Sequence, residues 1–149
     1  MIPMFEQITE INDAVNASIK YKPEPPGQDI WQTPRETTEL GRGDCEDIAI
    51  AKYFRLRAAG FSPELVYCLW QDPRTRRRLY HMVCLQGDLV LDNLDSEVKA
   101  VADRHDLHLI YAIGHKGMRN WGQDKLYQME QNSKFNDLIE RCKKGELDA

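Results

Sequence analysis

The hydrophobic period of this chain switches at Gly60, and that switch does most to limit its fold. Before it, Gly41-Arg42-Gly43 forms a turn. Asp44 then reads as the N-cap of a helix over residues 45–59, with Ala49, Tyr53 and Leu56 on the core side and Gly60 as the stop. After it, Leu65-Val66-Tyr67-Cys68-Leu69-Trp70 reads as a buried strand. An arginine-rich turn over 72–78 follows, then two more strands over 79–86 and 89–92 joined at Gly87-Asp88. One central helix followed by an antiparallel meander defines an α+β class, with the helix packed on the sheet.

The flanking segments fit this frame. Ile8, Ile11, Val15 and Ile19 recur at helical spacing, so residues 4–19 are expected to form an amphipathic helix. Three prolines and a glycine make 21–29 a loop. Thr33-Pro34-Arg35-Glu36 is a capping box with proline at N1, which starts a short helix that Gly41 and Gly43 end. A short helix over 96–104, a fourth strand over 107–113 and a C-terminal helix over 125–144 complete the expectation. No repeat or second domain is visible, so residues 1–149 read as one domain.

Bulk properties exclude several classes. A net charge of −4 gives no electrostatic reason for nucleic-acid binding. No apolar run approaches the ~20 residues of a membrane helix. The start, Met1-Ile-Pro-Met-Phe-Glu, lacks the basic and apolar regions of a signal peptide. The expected compartment is cytoplasmic if Met1 is the native start and periplasmic if a leader was removed. Cys45, Cys68, Cys84 and Cys142 show no zinc-ligand spacing. Cys68 and Cys84 lie in strand-like runs as small buried groups, and Cys142 is structural or incidental.

The chemistry concentrates at Cys45. The first turn of a helix lowers a thiol's pKa through its unpaired N–H groups and dipole. His81 and Asp92 follow, each in a strand-like run. Nucleophile, base and orienting acid in that order suggest a cysteine hydrolase or acyl transferase. Plainer readings stand beside each: a structural cysteine, a core histidine, a turn-forming Asp92-Asn93 pair. Asn93 could also orient the imidazole, and His105, His108 and His115 are rival bases. Trp31 either lines the cleft and serves an oxyanion or simply packs.

Asp44, Glu46 and Asp47 oppose thiolate formation. Either Arg42 or a bound cation would offset them, and hard oxygen ligands suit calcium. Acids at a helix start are also favoured by the dipole alone. The arginines at 74, 76, 77 and 78 form a solvated turn or a contact for an acidic substrate or partner.

Five stretches together resemble the bacterial transglutaminase-like cysteine proteinases. They are Trp31-Gln32-Thr33-Pro34; Gly41 to Asp47 with Ala49-Ile50-Ala51-Lys52-Tyr53; Leu56-Arg57 with Gly60; His81-Met82-Val83; and Val90-Leu91-Asp92-Asn93-Leu94. The resemblance implies a papain-like, transglutaminase-like core and a Cys45-His81-Asp92 triad that performs proteolysis rather than crosslinking. It also implies calcium held by Asp44 and Glu46, and a surface adhesin cut to release biofilm cells. A regulatory membrane receptor for cyclic-di-GMP is the implied partner. The arginine turn and the missing export signal depart from the family pattern.

A cysteine endopeptidase acting on a surface or secreted protein is therefore the expected function. Acyl transfer on the same triad and a non-catalytic calcium- or partner-binding module are the rivals.

Overall fold

A computed structural model describes residues 4–23, 31–123, 125–126 and 133–144. In chain order the elements are α1 (Met4–Ser18), β1 (Lys20–Tyr21), α2 (Pro34–Leu40), β2 (Arg42–Gly43), α3 (Cys45–Ala58), β3 (Glu64–Gln71), β4 (Arg78–Gln86), β5 (Leu89–Leu91), β6 (Lys99–Ala100), β7 (Leu107–Gly114), β8 (Gly117–Asn120) and α4 (Ser133–Lys144). The α+β expectation is met. Strands β3 to β8 form an antiparallel sheet in the order β6-β5-β4-β3-β7-β8, and α3 packs against β4 and β3. The chain crosses over after β6, so β7 pairs with β3 instead of extending the meander.

Local chemistry sets the helix starts. The Thr33 hydroxyl accepts from the Glu36 N–H while the Glu36 carboxylate accepts from the Thr33 N–H, with Pro34 inside the first turn. Asp44 and Asp47 repeat the arrangement at α3: Asp44 Oδ1 accepts from the Asp47 N–H at 3.0 Å, and Asp47 Oδ2 from the Asp44 N–H at 3.1 Å. Each such cap is worth about 1 kcal/mol. Gly41 ends α2 at φ 68, a left-handed conformation that a Cβ disfavours.

Helix α3 is buried on nearly every side, with Ile48, Ala49, Ile50, Ala51, Lys52, Tyr53 and Leu56 all inaccessible. Its core side joins Leu65, Met82, Cys84, Leu91, Ile113 and, from α4, Phe135 and Leu138. Val15 and Ile19 of the α1 segment cover Ile48 and Ala51. Cys68, Cys84 and Cys142 are buried.

Two expectations need correction. Residues 96–104 do not form a helix; they hold the short strand β6 and a single 3-10 turn, Val101–Asp103. The pairing of Leu89 and Val90 with Ala100 and Lys99 recruits that segment to the sheet edge. Lys125 and Leu126 lie outside α4, which starts at Ser133; the part of the expected helix over 127–132 lies outside the described residues. Two elements had no sequence signal: β8, and the two-residue parallel pairing of β1 with β2. The expected 21–29 loop lies outside the described residues from residue 24 onward.

Candidate active site

The β1–β2 pairing fixes the backbone leading into α3. Gly43, the last residue of β2, has no room for a side chain: a Cβ there would lie 2.6 Å from the Asp47 Cβ. Asp47 also accepts the Gln32 N–H at 2.9 Å, tying the 31–33 segment to the same turn. Burial and the neighbouring Asp44 push the Asp47 carboxyl up. The outcome is a half-buried Cys45 at the first position of α3, facing β4.

His81 and Asp92 come together across the β4–β5 pair. His81 Nε2 lies 2.6 Å from Asp92 Oδ1, with both side chains almost fully buried. The same oxygen accepts the Asn93 and Leu94 N–H groups at 2.7 and 3.3 Å. Asn93 is therefore held by the carboxylate rather than replacing it. Cys45 and His81 open into one cleft of about 90 Å³, walled by Tyr21, Trp70, Leu79, Tyr80 and Leu94.

Four residues that sequence reading passed over support this arrangement. Arg104 donates from Nη2 to Asp92 Oδ2 at 2.8 Å, and from Nε and Nη2 to Asp106 at 3.0 and 3.1 Å. Asp106 in turn accepts from Trp70 Nε1 at 3.0 Å, so the network runs from the carboxylate to the cleft wall. Burial pushes the Asp92 carboxyl up, but His81 and Arg104 outweigh it and hold it at about 2. On α1, Asn16 Nδ2 donates to the Asp92 carbonyl and Asn12 Nδ2 to that of Ser96, at 3.0 and 2.9 Å. An Asn pair at i, i+4 among the apolar positions of α1 was the one readable signal; Arg104 left none.

The thiol reverses one expectation. Burial pushes Cys45 up to about 12; the Met82 N–H acts the other way, while Asp44, Glu46 and Asp92 add to the rise. The helix terminus meets desolvation and three nearby carboxylates, and these win. Lys52 sits two turns along α3, fully buried, with no hydrogen-bond partner for its Nζ among the described residues. Burial lowers its pKa to about 8, against the pull of Asp92, Cys84 and Asp13.

The remaining candidates are placed elsewhere. Trp31 is 4% exposed, in the core with α4 residues, and does not line the cleft. Its Nε1 has no hydrogen-bond partner among the described residues, and its position supports packing. His115 bonds Tyr53 through Nδ1 and stacks on its ring. His105 and His108 line a separate 440 Å³ depression near Arg78. Among the described residues no three His, Cys, Asp or Glu side chains converge as metal ligands. Asp44 and Glu46 offer two carboxylates of the six to eight oxygens calcium takes. The hard carboxylate oxygens and the negative charge that Asp44 and Glu46 place beside Cys45 still fit that cation.

A capped helix with Cys45 at its first position, packed on an antiparallel sheet, matches the transglutaminase-like fold of a class of cysteine proteinases. The chain belongs to the family described as bacterial transglutaminase-like cysteine proteinase, BTLCP, whose profile matches residues 3–126. Among solved structures it is similar to Legionella pneumophila LapG. The EGTA-treated form aligns with TM-score 0.81 and 27% identity, over 93% of this chain and 79% of that one. The calcium-bound form aligns with TM-score 0.79 and 28% identity, over 93% and 80%. No curated protein matches by sequence. No helix among the described residues is long and apolar enough to cross a membrane.

Proposed function

We propose that this cysteine protease is an endopeptidase in which Cys45, His81 and Asp92 act as nucleophile, base and orienting acid. The observation that carries the reading is the 2.6 Å His81–Asp92 bond beside a cleft shared by His81 and Cys45. Because Asp92 holds Nε2–H, Nδ1 is the nitrogen left to take the thiol proton. Burial and the flanking carboxylates disfavour thiolate, so His81 is needed to take the thiol proton as the sulfur attacks the peptide carbonyl. The Cys45 backbone N–H belongs to the first turn of α3, where the helix offers it no partner, and it would hold the oxyanion. The His81 imidazolium then gives its proton to the leaving amine, and water hydrolyses the acyl-enzyme.

Calcium, suggested by the calcium-bound LapG form, would be held by Asp44 and Glu46. When bound it would supply positive charge that offsets those carboxylates beside the sulfur. Following the family resemblance, the substrate is a surface or secreted bacterial protein, and a regulatory protein is the further partner.

Cys45→Ala should abolish cleavage and keep the melting temperature. Cleavage at the wild-type rate by that variant would end the proposal. Iodoacetamide should label Cys45 ahead of Cys68, Cys84 and Cys142, because those three are buried.

A further inference from the structure

Strand β4 runs on past its neighbour at the point where the cleft lies. On one side β3 pairs with it from Arg78 to Leu85. On the other side β5 pairs only with Cys84, Leu85 and Gln86. Residues 78–83 therefore have no strand partner on that side among the described residues. An unpaired edge is a ready template for another chain, and proteins commonly cover or blunt such edges.

The hairpin fixes which backbone groups face this edge. Gln86 and Leu89 flank the two-residue turn Gly87-Asp88, so they form a hydrogen-bonded pair. Counting back in twos, Cys84, Met82 and Tyr80 direct their N–H and C=O groups the same way. The Cys45 sulfur agrees with this direction, since the Met82 backbone lies close enough to lower the thiol's pKa against burial. Tyr80 is one strand repeat further, ~7 Å away. Its N–H and C=O face the cleft side with no partner strand among the described residues. Around them stand exposed apolar side chains: Tyr80 at 70%, Leu79 at 49% and Leu94 at 46%.

We propose that the substrate is an extended, unfolded polypeptide segment that docks as an added β-strand on this open edge. Its main chain pairs with Tyr80, its apolar side chains rest on Leu79, Tyr80 and Leu94, and the scissile carbonyl falls one or two residues beyond the paired one, at Cys45. Main-chain pairing supplies the hold and the side-chain surfaces supply selectivity. The proposal rests on Cys45 being the nucleophile and adds to it how a chain is presented.

The test measures inactivation of Cys45 by a pool of acyl-tetrapeptide chloromethyl ketones with mixed apolar side chains. Each rate is read as a ratio to the iodoacetamide rate of the same protein. The wild-type ratio should exceed tenfold. Methylating the probe amides one at a time should remove that advantage at alternate positions, following the two-residue period of a strand. Tyr80→Pro, which deletes one edge N–H where proline is tolerated, should remove it as well. If that variant fails to fold, the methylation series on the wild type decides alone. A ratio near one, equal tolerance of methylation at every position, or an undiminished ratio in a folded Tyr80→Pro variant would each overturn the docking mode and leave the nucleophile assignment standing. Uniform iodoacetamide labelling of all four cysteines would instead overturn the protease reading, and the docking mode with it.

Discussion

Arg104 Nη2 lies 2.8 Å from Asp92 Oδ2, on the carboxylate oxygen opposite the one that holds His81. The two cannot be exchanged for a simple His–Asp pair. Asp92 is almost inaccessible, and a buried carboxylate facing only an imidazole would take up protons more readily. Arg104 keeps it ionised, and Asp106 keeps Arg104 in place.

Replacing Arg104 should therefore show in pH dependence as well as in stability. With the guanidinium present, Asp92 sits at about 2, below its usual 3.8. Its contribution to stability is full above that usual value and is lost as pH falls toward 2. In Arg104→Gln the acid limb of kcat/KM should move up by about 1–3 pH units, because Asp92 protonates sooner. Stability should fall by about 3–5 kcal/mol, the cost of breaking a buried ion pair. Arg104→Lys should recover part of the limb. An unmoved acid limb would leave Arg104 with a packing role only.

Lys52 makes the opposite prediction. Its folded pKa is lowered from 10.5 to about 8, so the unfolded chain binds more protons between those values. Stability should rise with pH across that window and level off above it. The buried ammonium costs on the order of 3 kcal/mol at neutral pH. Lys52→Met should raise the urea midpoint at pH 7 and flatten the rise between pH 8 and 10.5. Denaturation curves at pH 7 and 10 check this, and a variant less stable than wild type at pH 7 would refute it.

The Gly43 position should reject any side chain. Alanine there brings its Cβ within 2.6 Å of the Asp47 Cβ, so either the turn or the capping box must move. Gly43→Ala should cost about 1–3 kcal/mol and slow Cys45 alkylation, since Asp47 anchors both Asp44 and the Gln32 backbone. Thermal melts and alkylation rates measure the two effects.

The acids beside the sulfur can be separated from the helix cap. Asp44→Asn keeps an oxygen for the Asp47 N–H but deletes one of the charges that raise the thiol. In calcium-free buffer its iodoacetamide rate at pH 8 should rise roughly fivefold, the effect of somewhat under one pKa unit. Calcium should accelerate the wild type and leave Asp44→Asn/Glu46→Gln unchanged. A calcium response that survives in the double variant would remove Asp44 and Glu46 as ligands.

Residue order alone announced the helix that carries Cys45, because N-caps, glycine stops and periodicity act within a few residues. The Thr33 and Asp44 caps, the strands of the meander and the burial of Cys68 and Cys84 are all such short-range facts. Helix and strand were confused at 96–104, where a two-residue pairing with β5 overrode local propensity.

What no local pattern could state is which distant groups meet. Asn12 and Asn16 reach across to the Asp92–Ser96 stretch, Arg104 closes on Asp92 from beyond β6, and β5 stops short to leave an open strand edge beside the thiol. The thiol's own chemistry also turned on this assembly. A helix start favours thiolate, yet burial against β4 and three surrounding carboxylates reverses the sign, because desolvation and charge act through space and not along the chain.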